Sequence, residues 1–204
     1  REVENMFLIK DIKLSLSESE AKLSEKAAKK LGCNEKNIKN IKIIKKSIDA
    51  RKKPCYVYSV SAEVFDKKGI KAEEYVESAP LVIKKSAFRK RPLVIGFGPA
   101  GMFSALMLAR AGACPIVIER GFDADKRADD IKRFRSGEDL NENSNICFGE
   151  GGAGAFSDGK LTTGIGSKFV KEVLKTFVSH GAPEDILYAS RPHVGSDVLP
   201  RVVK

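Results

Sequence analysis

The stretch Leu93 to Arg120, LVIGFGPAGMFSALMLARAGACPIVIER, allows this chain few folds. Leu93-Val94-Ile95 has the length and branching of a strand buried on both faces, and it runs directly into Gly96-Phe97-Gly98-Pro99-Ala100-Gly101. That is GxGxxG placed between a strand and a helix. Gly96 is expected to make the tight turn, Gly98 to let the backbone approach a pyrophosphate, and Gly101 to let the helix pack closely on the sheet. Pro99 and Ala100 fall in the first helical turn, where a missing N–H costs little and the remaining donors, with the helix dipole, face an anion. The helix is expected to end at Gly112, and Pro115 to Ile118 to form the second strand. Glu119 closes that strand, where the acidic residue of this motif reaches a ribose hydroxyl. A carboxylate there repels a 2′-phosphate, which favours FAD or NAD over NADP. The fingerprint by itself does not separate FAD from NAD.

Composition sets the outer limits. The 204 residues suggest one or two domains, and no apolar run is long enough to span a membrane, so a cytoplasmic protein is expected. No export signal is expected from the residues after Arg1, and the four cysteines lack CxxC or metal-like spacing, which fits a reducing compartment. No metal site is expected. Residues 1–90 hold 22 Lys and Arg against 13 Asp and Glu, whereas residues 91–204 hold 15 against 14. The basic surplus therefore belongs to the N-terminal half. Its lysines are dispersed and arginine is scarce there, so a solvated face is favoured over a nucleic-acid surface.

The N-terminal half reads as a small α+β domain over residues 1–88, with helices on one face of a mostly antiparallel sheet in a ferredoxin-like arrangement. Met6, Leu8, Ile12, Leu14 and Leu16 are expected on the buried face of a first strand. Ser17 with Glu20 reads as a capping box opening a helix with Leu23, Ala27 and Leu31 on one face, ended by Gly32. Ile38 to Ile48 and Tyr56 to Phe65 read as an antiparallel pair with Tyr56, Tyr58, Val60, Ala62 and Val64 facing one way. A short helix or loop around Asp66 to Glu77 and a strand at Leu81 to Ile83 are expected to complete the domain. The basic segment Lys84 to Pro92 then reads as a linker.

Beyond Glu119, a charged helix is expected from Asp123 to Arg135 with Ala124, Ala128 and Ile131 on one face. The segment Asn141 to Gly166, NENSNICFGEGGAGAFSDGKLTTGIG, interleaves glycine with Cys147, Phe148, Phe156 and Leu161. Such a sequence fits a backbone folded tightly about a ligand, offering N–H groups to a pyrophosphate or a flavin edge, with Lys160 supplying positive charge.

GFGPAGMFSALMLARAG, VIERG and SNICFGEGGAGAFSDGKLTTGIG together resemble the largely uncharacterised FAD-dependent dehydrogenases of the glutathione-reductase-type flavoprotein superfamily. The resemblance covers about Arg91 to Lys204 and implies an incomplete Rossmann-like FAD-binding domain over residues 89–204. It implies that Gly96, Gly98, Pro99, Ala100, Gly101, Glu119 and Arg120 hold the adenosine and pyrophosphate. Gly152, Ala153, Gly154 and Lys160 would then lie towards the flavin.

Ser167 is expected to cap a helix carrying Phe169, Val170, Val173, Leu174, Phe177 and Val178 on one face, and Val198 to Lys204 reads as a further helix. His193 is a candidate near substrate or flavin, although a turn histidine is the more frequent case. Cys147 as a redox thiol is disfavoured because no second cysteine lies nearby in a CxxC. The expected protein is an FAD-dependent oxidoreductase acting on an unknown small-molecule substrate or electron donor, with this chain as part of a longer enzyme. The alternatives are an RNA-binding or tRNA-modifying flavoprotein with a basic N-terminal module, and an NAD-binding dehydrogenase domain.

Overall fold

The computed structural model describes residues 6–66, 68–195 and 197–204. The described residues form a mixed α/β protein in two compact units: residues up to Ala79 together with Asp185–Pro192, and Pro80–Glu184 together with His193–Lys204. The boundary expected near residue 88 lies inside the second unit. No helix among the described residues is long and apolar enough to cross a membrane.

The first unit is built on four strands, β1 (Met6–Ser15), β2 (Ile38–Asp49), β3 (Cys55–Val64) and β4 (Glu73–Glu74), in the order β2-β3-β1-β4. All neighbours are antiparallel. The helix α1 (Leu23–Leu31) supplies Leu23, Ala27 and Leu31 to a core shared with Phe7, Ile9, Ile12, Leu14, Tyr58, Val60, Ala62 and Val64. The β2–β3 hairpin is the antiparallel pair read from the sequence.

Three expectations here need correction. In β1 the buried residues before Lys10 are Phe7 and Ile9, not Met6 and Leu8. Asp11 adopts φ +55° and the register with β3 slips between Ile9 and Ile12, so an irregularity in mid-strand changes which parity faces the core. Leu16, also assigned to that face, is 55% exposed. The capping box is displaced too: Ser19 caps the entry turn by accepting from Ala21 N at 3.2 Å. Glu18, not Glu20, accepts from the Ser15 N–H at 2.7 Å. Finally, Leu81 to Ile83 carries no strand, and the fourth strand is Glu73–Glu74, within the stretch read as a helix or loop.

Glu20 instead accepts from Lys46 Nζ at 2.6 Å and from the Tyr58 hydroxyl at 2.8 Å. Burial first, and then the Glu20 carboxylate, push the Tyr58 phenol up to about 12. Lys46 also joins the β2 edge to the distant segment of the unit, its N–H donating to Tyr188 O at 2.8 Å and its C=O accepting from Ser190 N at 2.9 Å. A strand edge with paired backbone groups is closed to further pairing at that point. Several of the lysines are paired with local carboxylates, Lys10–Glu73 and Lys42–Glu77 at 2.6 Å each, Lys26–Glu18 at 2.9 Å, and Lys13–Asp49 and Lys39–Glu63 at 3.5 Å each.

In the second unit, β5 (Leu93–Ile95) and β6 (Ile116–Ile118) pair in parallel, Val94 opposite Val117, and α2 (Pro99–Arg110) connects them. A parallel pair requires such a crossover, as the sequence pattern implied. The strand β5, expected to be buried on both faces, exposes Leu93 at 55% and Ile95 at 81%. α3 (Ala124–Arg135) starts at Asp123, whose Oδ1 accepts from Asp125 N and Lys126 N at 3.0 Å each. Its buried face carries Ala124, Arg127, Asp130 and Ile131, while Ala128, expected on that face, is exposed. α4 (Phe169–Ser179) begins where Ser167 Oγ accepts from Phe169 N at 3.2 Å, and Phe177 meets Phe103 of α2 edge to face at 5.6 Å. α5 (Leu199–Val203) buries Leu199 and Val202.

Candidate functional site

The glycine turn between β5 and α2 has the close packing its sequence demands. A Cβ on Gly101 would stand 2.0 Å from Gly96 O, so the helix approaches the turn at a distance only glycine permits. Gly98 is the residue before the first turn of α2, and no side chain caps the helix. With Pro99 lacking an N–H, Ala100 and Gly101 carry the first free helical donors. These donors and the positive end of the dipole form an anion-binding geometry.

Glu119 lies beside this turn. Its Oε2 accepts from Phe97 N at 2.5 Å and its Oε1 from Gly121 N at 2.8 Å. Burial opposes the charged carboxylate, yet N–H groups of Gly121, Phe97, Arg120 and Gly149 outweigh it and hold the group below the usual carboxylate range. The carboxylate thus ties the two strand ends together, a task additional to the ribose contact implied by the resemblance. Arg120 is exposed and stacks over the Phe148 ring at 4.5 Å.

The glycine-rich segment folds back onto the same turn. Gly151 N donates to Phe97 O at 2.9 Å, and a Cβ on Gly152 would lie 3.2 Å from Gly98 Cα and 3.3 Å from Pro99 Cδ. Gly152, distant in sequence, therefore shares one locality with Gly96, Gly98, Pro99 and Gly101. Ala153 and Gly154 begin a single 3-10 turn, Ala153–Phe156, immediately after Gly152. Next to it lies a cavity of about 560 Å³ whose lining includes Pro99, Met102, Phe103, Gly154, Lys160 and Leu161.

Lys160 is exposed, and its ammonium pairs with Asp158 at 2.6 Å. That hydrogen bond is the main cause holding the Asp158 carboxyl below its usual range. The charge expected to serve a ligand therefore has a protein partner. The backbone of Lys160 bridges that of His193, and Val194 N donates to Gly159 O at 2.9 Å, so His193 lies beside Lys160 with its side chain exposed. Cys147 is a free, exposed thiol. No cluster of metal-ligating side chains occurs among the described residues.

The residue that sequence reasoning missed is Arg127. It is 0% exposed, and its guanidinium donates to four backbone carbonyls: Asn145 O at 3.1 Å and Ile146 O at 3.2 Å, Glu150 O at 2.6 Å and Gly152 O at 3.1 Å. Phe156 lies under it with 4.7 Å between the guanidinium carbon and the ring centroid. Burial lowers its pKa, and the Glu119 and Glu150 charges work in the opposite direction. Gly149, at φ +109°, passes so close that a Cβ there would be 2.4 Å from Arg127 Cδ. A signal was present: Ala124, Arg127 and Ile131 follow an i, i+3, i+7 stripe, and a charge on an apolar stripe must find partners inside.

Comparison with known proteins adds a family of unknown function and a relative. Residues 6–65 match a domain family described as a domain of unknown function, DUF8436. An uncharacterised protein of Clostridium beijerinckii is 46% identical over 207 aligned positions, covering 96% of this chain and 39% of the relative. The chain thus spans about 39% of the length of the relative it matches, and the similarity runs through both compact units.

Proposed function

We propose that the second unit is a Rossmann-like FAD-binding element of an FAD-dependent oxidoreductase, with the activity belonging to the whole polypeptide of which such a unit is a part. The observation that carries this reading is the docking of Gly151 and Gly152 onto Phe97 and Gly98. It joins the two glycine-rich segments quoted for the resemblance at the N-terminus of one helix. A pyrophosphate seated there meets the first-turn donors of Ala100 and Gly101 and the positive end of the α2 dipole. Gly151 and Gly154 line the neighbouring cavity, with Gly152 and Ala153 between them in the chain, and a flavin would extend towards that cavity. The bound flavin would supply the redox chemistry; the chain's residues bind and orient it. No acid, base or nucleophile is assigned. In the first unit, the order β2-β3-β1-β4 with α1 between β1 and β2 supports the ferredoxin-like reading.

The test compares this chain with the longer Clostridium beijerinckii relative. After incubation with FAD and gel filtration, the relative is expected to retain the absorption bands of bound flavin. This chain is expected to bind FAD more weakly, with ADP competing for the same turn. Absence of flavin from both proteins, with no heat of FAD binding to either, overturns the proposal. Retention of NAD in place of FAD transfers the site to the nicotinamide class.

A further inference from the structure

We propose that Arg127 is the positioning residue of the candidate cofactor site, an internal cation about which Asn145 to Gly152 is folded and which sets the face that this segment presents over the Gly96–Gly101 turn. The proposal deepens the FAD-binding reading and rests on it for the identity of the ligand.

The argument begins with the peptide plane. In a trans peptide the C=O and the following N–H point in opposite directions, so anchoring a carbonyl on one side aims the next N–H to the other. Arg127 Nη1 holds Glu150 O at 2.6 Å, and on the opposite side of that plane Gly151 N donates to Phe97 O at 2.9 Å. One guanidinium contact thereby docks the segment on the glycine turn. Arg127 Nη2 likewise holds Gly152 O at 3.1 Å, which directs the Ala153 N–H away from the arginine. The carbonyls of Asn145 and Ile146 complete the set, so four N–H directions of one rigid planar group fix four points of a glycine-rich backbone.

Alternative tasks for this arginine fail on the same geometry. The side chain is wholly buried, so it is not a surface contact for an anion. Its hydrogen-bond partners are carbonyls rather than carboxylates, which rules out a simple ion pair as its purpose. Glu119 and Glu150 balance the charge from nearby, and both are themselves tied to backbone N–H groups, Glu119 to Phe97 and Gly121 and Glu150 to Ala124 at 2.8 Å. The arrangement is closed and preorganised before any ligand arrives. Its effect on a dinucleotide is therefore one of geometry: the segment is already ordered, and binding avoids that ordering cost.

The experiment uses Arg127→Ala and Arg127→Lys in this chain, with hydrogen exchange as the primary readout in the absence of nucleotide. Amides of residues 145–153 are expected to lose protection by roughly 100-fold or more in Arg127→Ala, in line with breaking a buried charge network, while those of β1, β2 and β3 stay unchanged. Lysine keeps the charge but not the planar fork, so Arg127→Lys is expected to stay folded and still lose protection in the same segment. Millimolar guanidinium, entering the space vacated in Arg127→Ala, is expected to restore protection where equal sodium chloride does not. FAD titration supplies the second readout: affinity should fall in both variants, with an unchanged dependence on salt, because no phosphate contact is removed. Undiminished protection of residues 145–153 in both variants overturns the proposal, as does full retention of protection by lysine. If protection falls as expected but wild-type chain and longer relative both fail to bind FAD, the positioning role stands and the cofactor reading fails.

Discussion

The two units solve the problem of a buried interior by opposite chemistry. In the first, eleven buried side chains from β1, α1 and β3 form one apolar core, and among them Tyr58 alone carries a polar atom. In the second, the largest fully buried side chain is Arg127, and its hydrogen-bond partners are main-chain carbonyls. An apolar core draws its stability from area removed from water and tolerates small shifts of its parts. A carbonyl cage around a guanidinium depends on hydrogen-bond direction, because any carbonyl or N–H left unpaired there bears its full desolvation cost. The comparison teaches that the first unit is built for folding, whereas the second spends sequence on a fixed backbone shape: glycines where close approach is needed, and one arginine at their centre.

Four measurements break or sharpen that contrast. The largest effect is expected from Leu14→Ala, since Leu14 is fully buried in the apolar core; a loss of about 2–5 kcal/mol follows from the removed methyl groups and the residual cavity. Urea unfolding followed by the tyrosine signal of β3 reads it. A loss below 1 kcal/mol, on that cavity scale, would show that the first unit is not held by its core. Next comes Gly101→Ala, whose new Cβ would stand 2.0 Å from Gly96 O; about 1–3 kcal/mol of overpacking strain is expected, read as lost amide protection in α2 and β5 with β1 and β3 unaffected. Equal protection losses in both units would erase the distinction between them. Ser19→Ala is expected to cost about 1 kcal/mol by leaving the entry turn of α1 uncapped, measured by urea unfolding of the first unit.

The smallest effect is expected from acid. The Ser15 N–H, then Lys26, hold the Glu18 carboxyl down at about 2 against 4.5 for the ordinary group. A depressed folded-state pKa gives a contribution that is complete above the ordinary value and is lost as pH falls through the window from 4.5 to about 2. Carbon NMR titration of Glu18 should place its midpoint near the lower limit, and a midpoint at the ordinary value removes the contact from solution. Glu119 is also held low, so its hold on Phe97 and Gly121 should weaken over acid pH as well. The first unit keeps its apolar core under those conditions, whereas the second loses part of the polar frame around its glycines.

Much of the second unit's local structure was legible because its signals are short-range. Three apolar residues before GxGxxG specify strand, turn and helix start by steric rules that act within a few bonds, and Gly101 occupies the one place where a side chain would strike Gly96 O. Helix periodicity likewise gave Leu23, Ala27 and Leu31. In β1 the period-two rule read the phase correctly from Ile12 to Leu14 and incorrectly at Met6 and Leu8. Nothing in MFLIKDIKLS announces that Asp11 will take a positive φ and reverse the parity. Such an irregularity is chosen by pairing with β3, residues 55–64, and is not coded in the strand itself.

By itself the sequence determined the elements whose signals lie within one or two turns of chain: the β5-α2-β6 crossover, the β2–β3 hairpin and the helix α1. Only the tertiary structure decided where charges would go. Lys160 looked like a ligand's partner and is matched by Asp158; Glu119 looked committed to a ribose and accepts from the N–H groups of Phe97 and Gly121; Arg127, one residue of a charged helix and not among the expected site residues, is wholly buried. The physical reason is that a backbone signal is steric and local, whereas the environment of a charge is the sum of dipoles brought to it by residues distant in sequence. Arg127 acquires its role only when the carbonyls of Asn145, Ile146, Glu150 and Gly152 close around it.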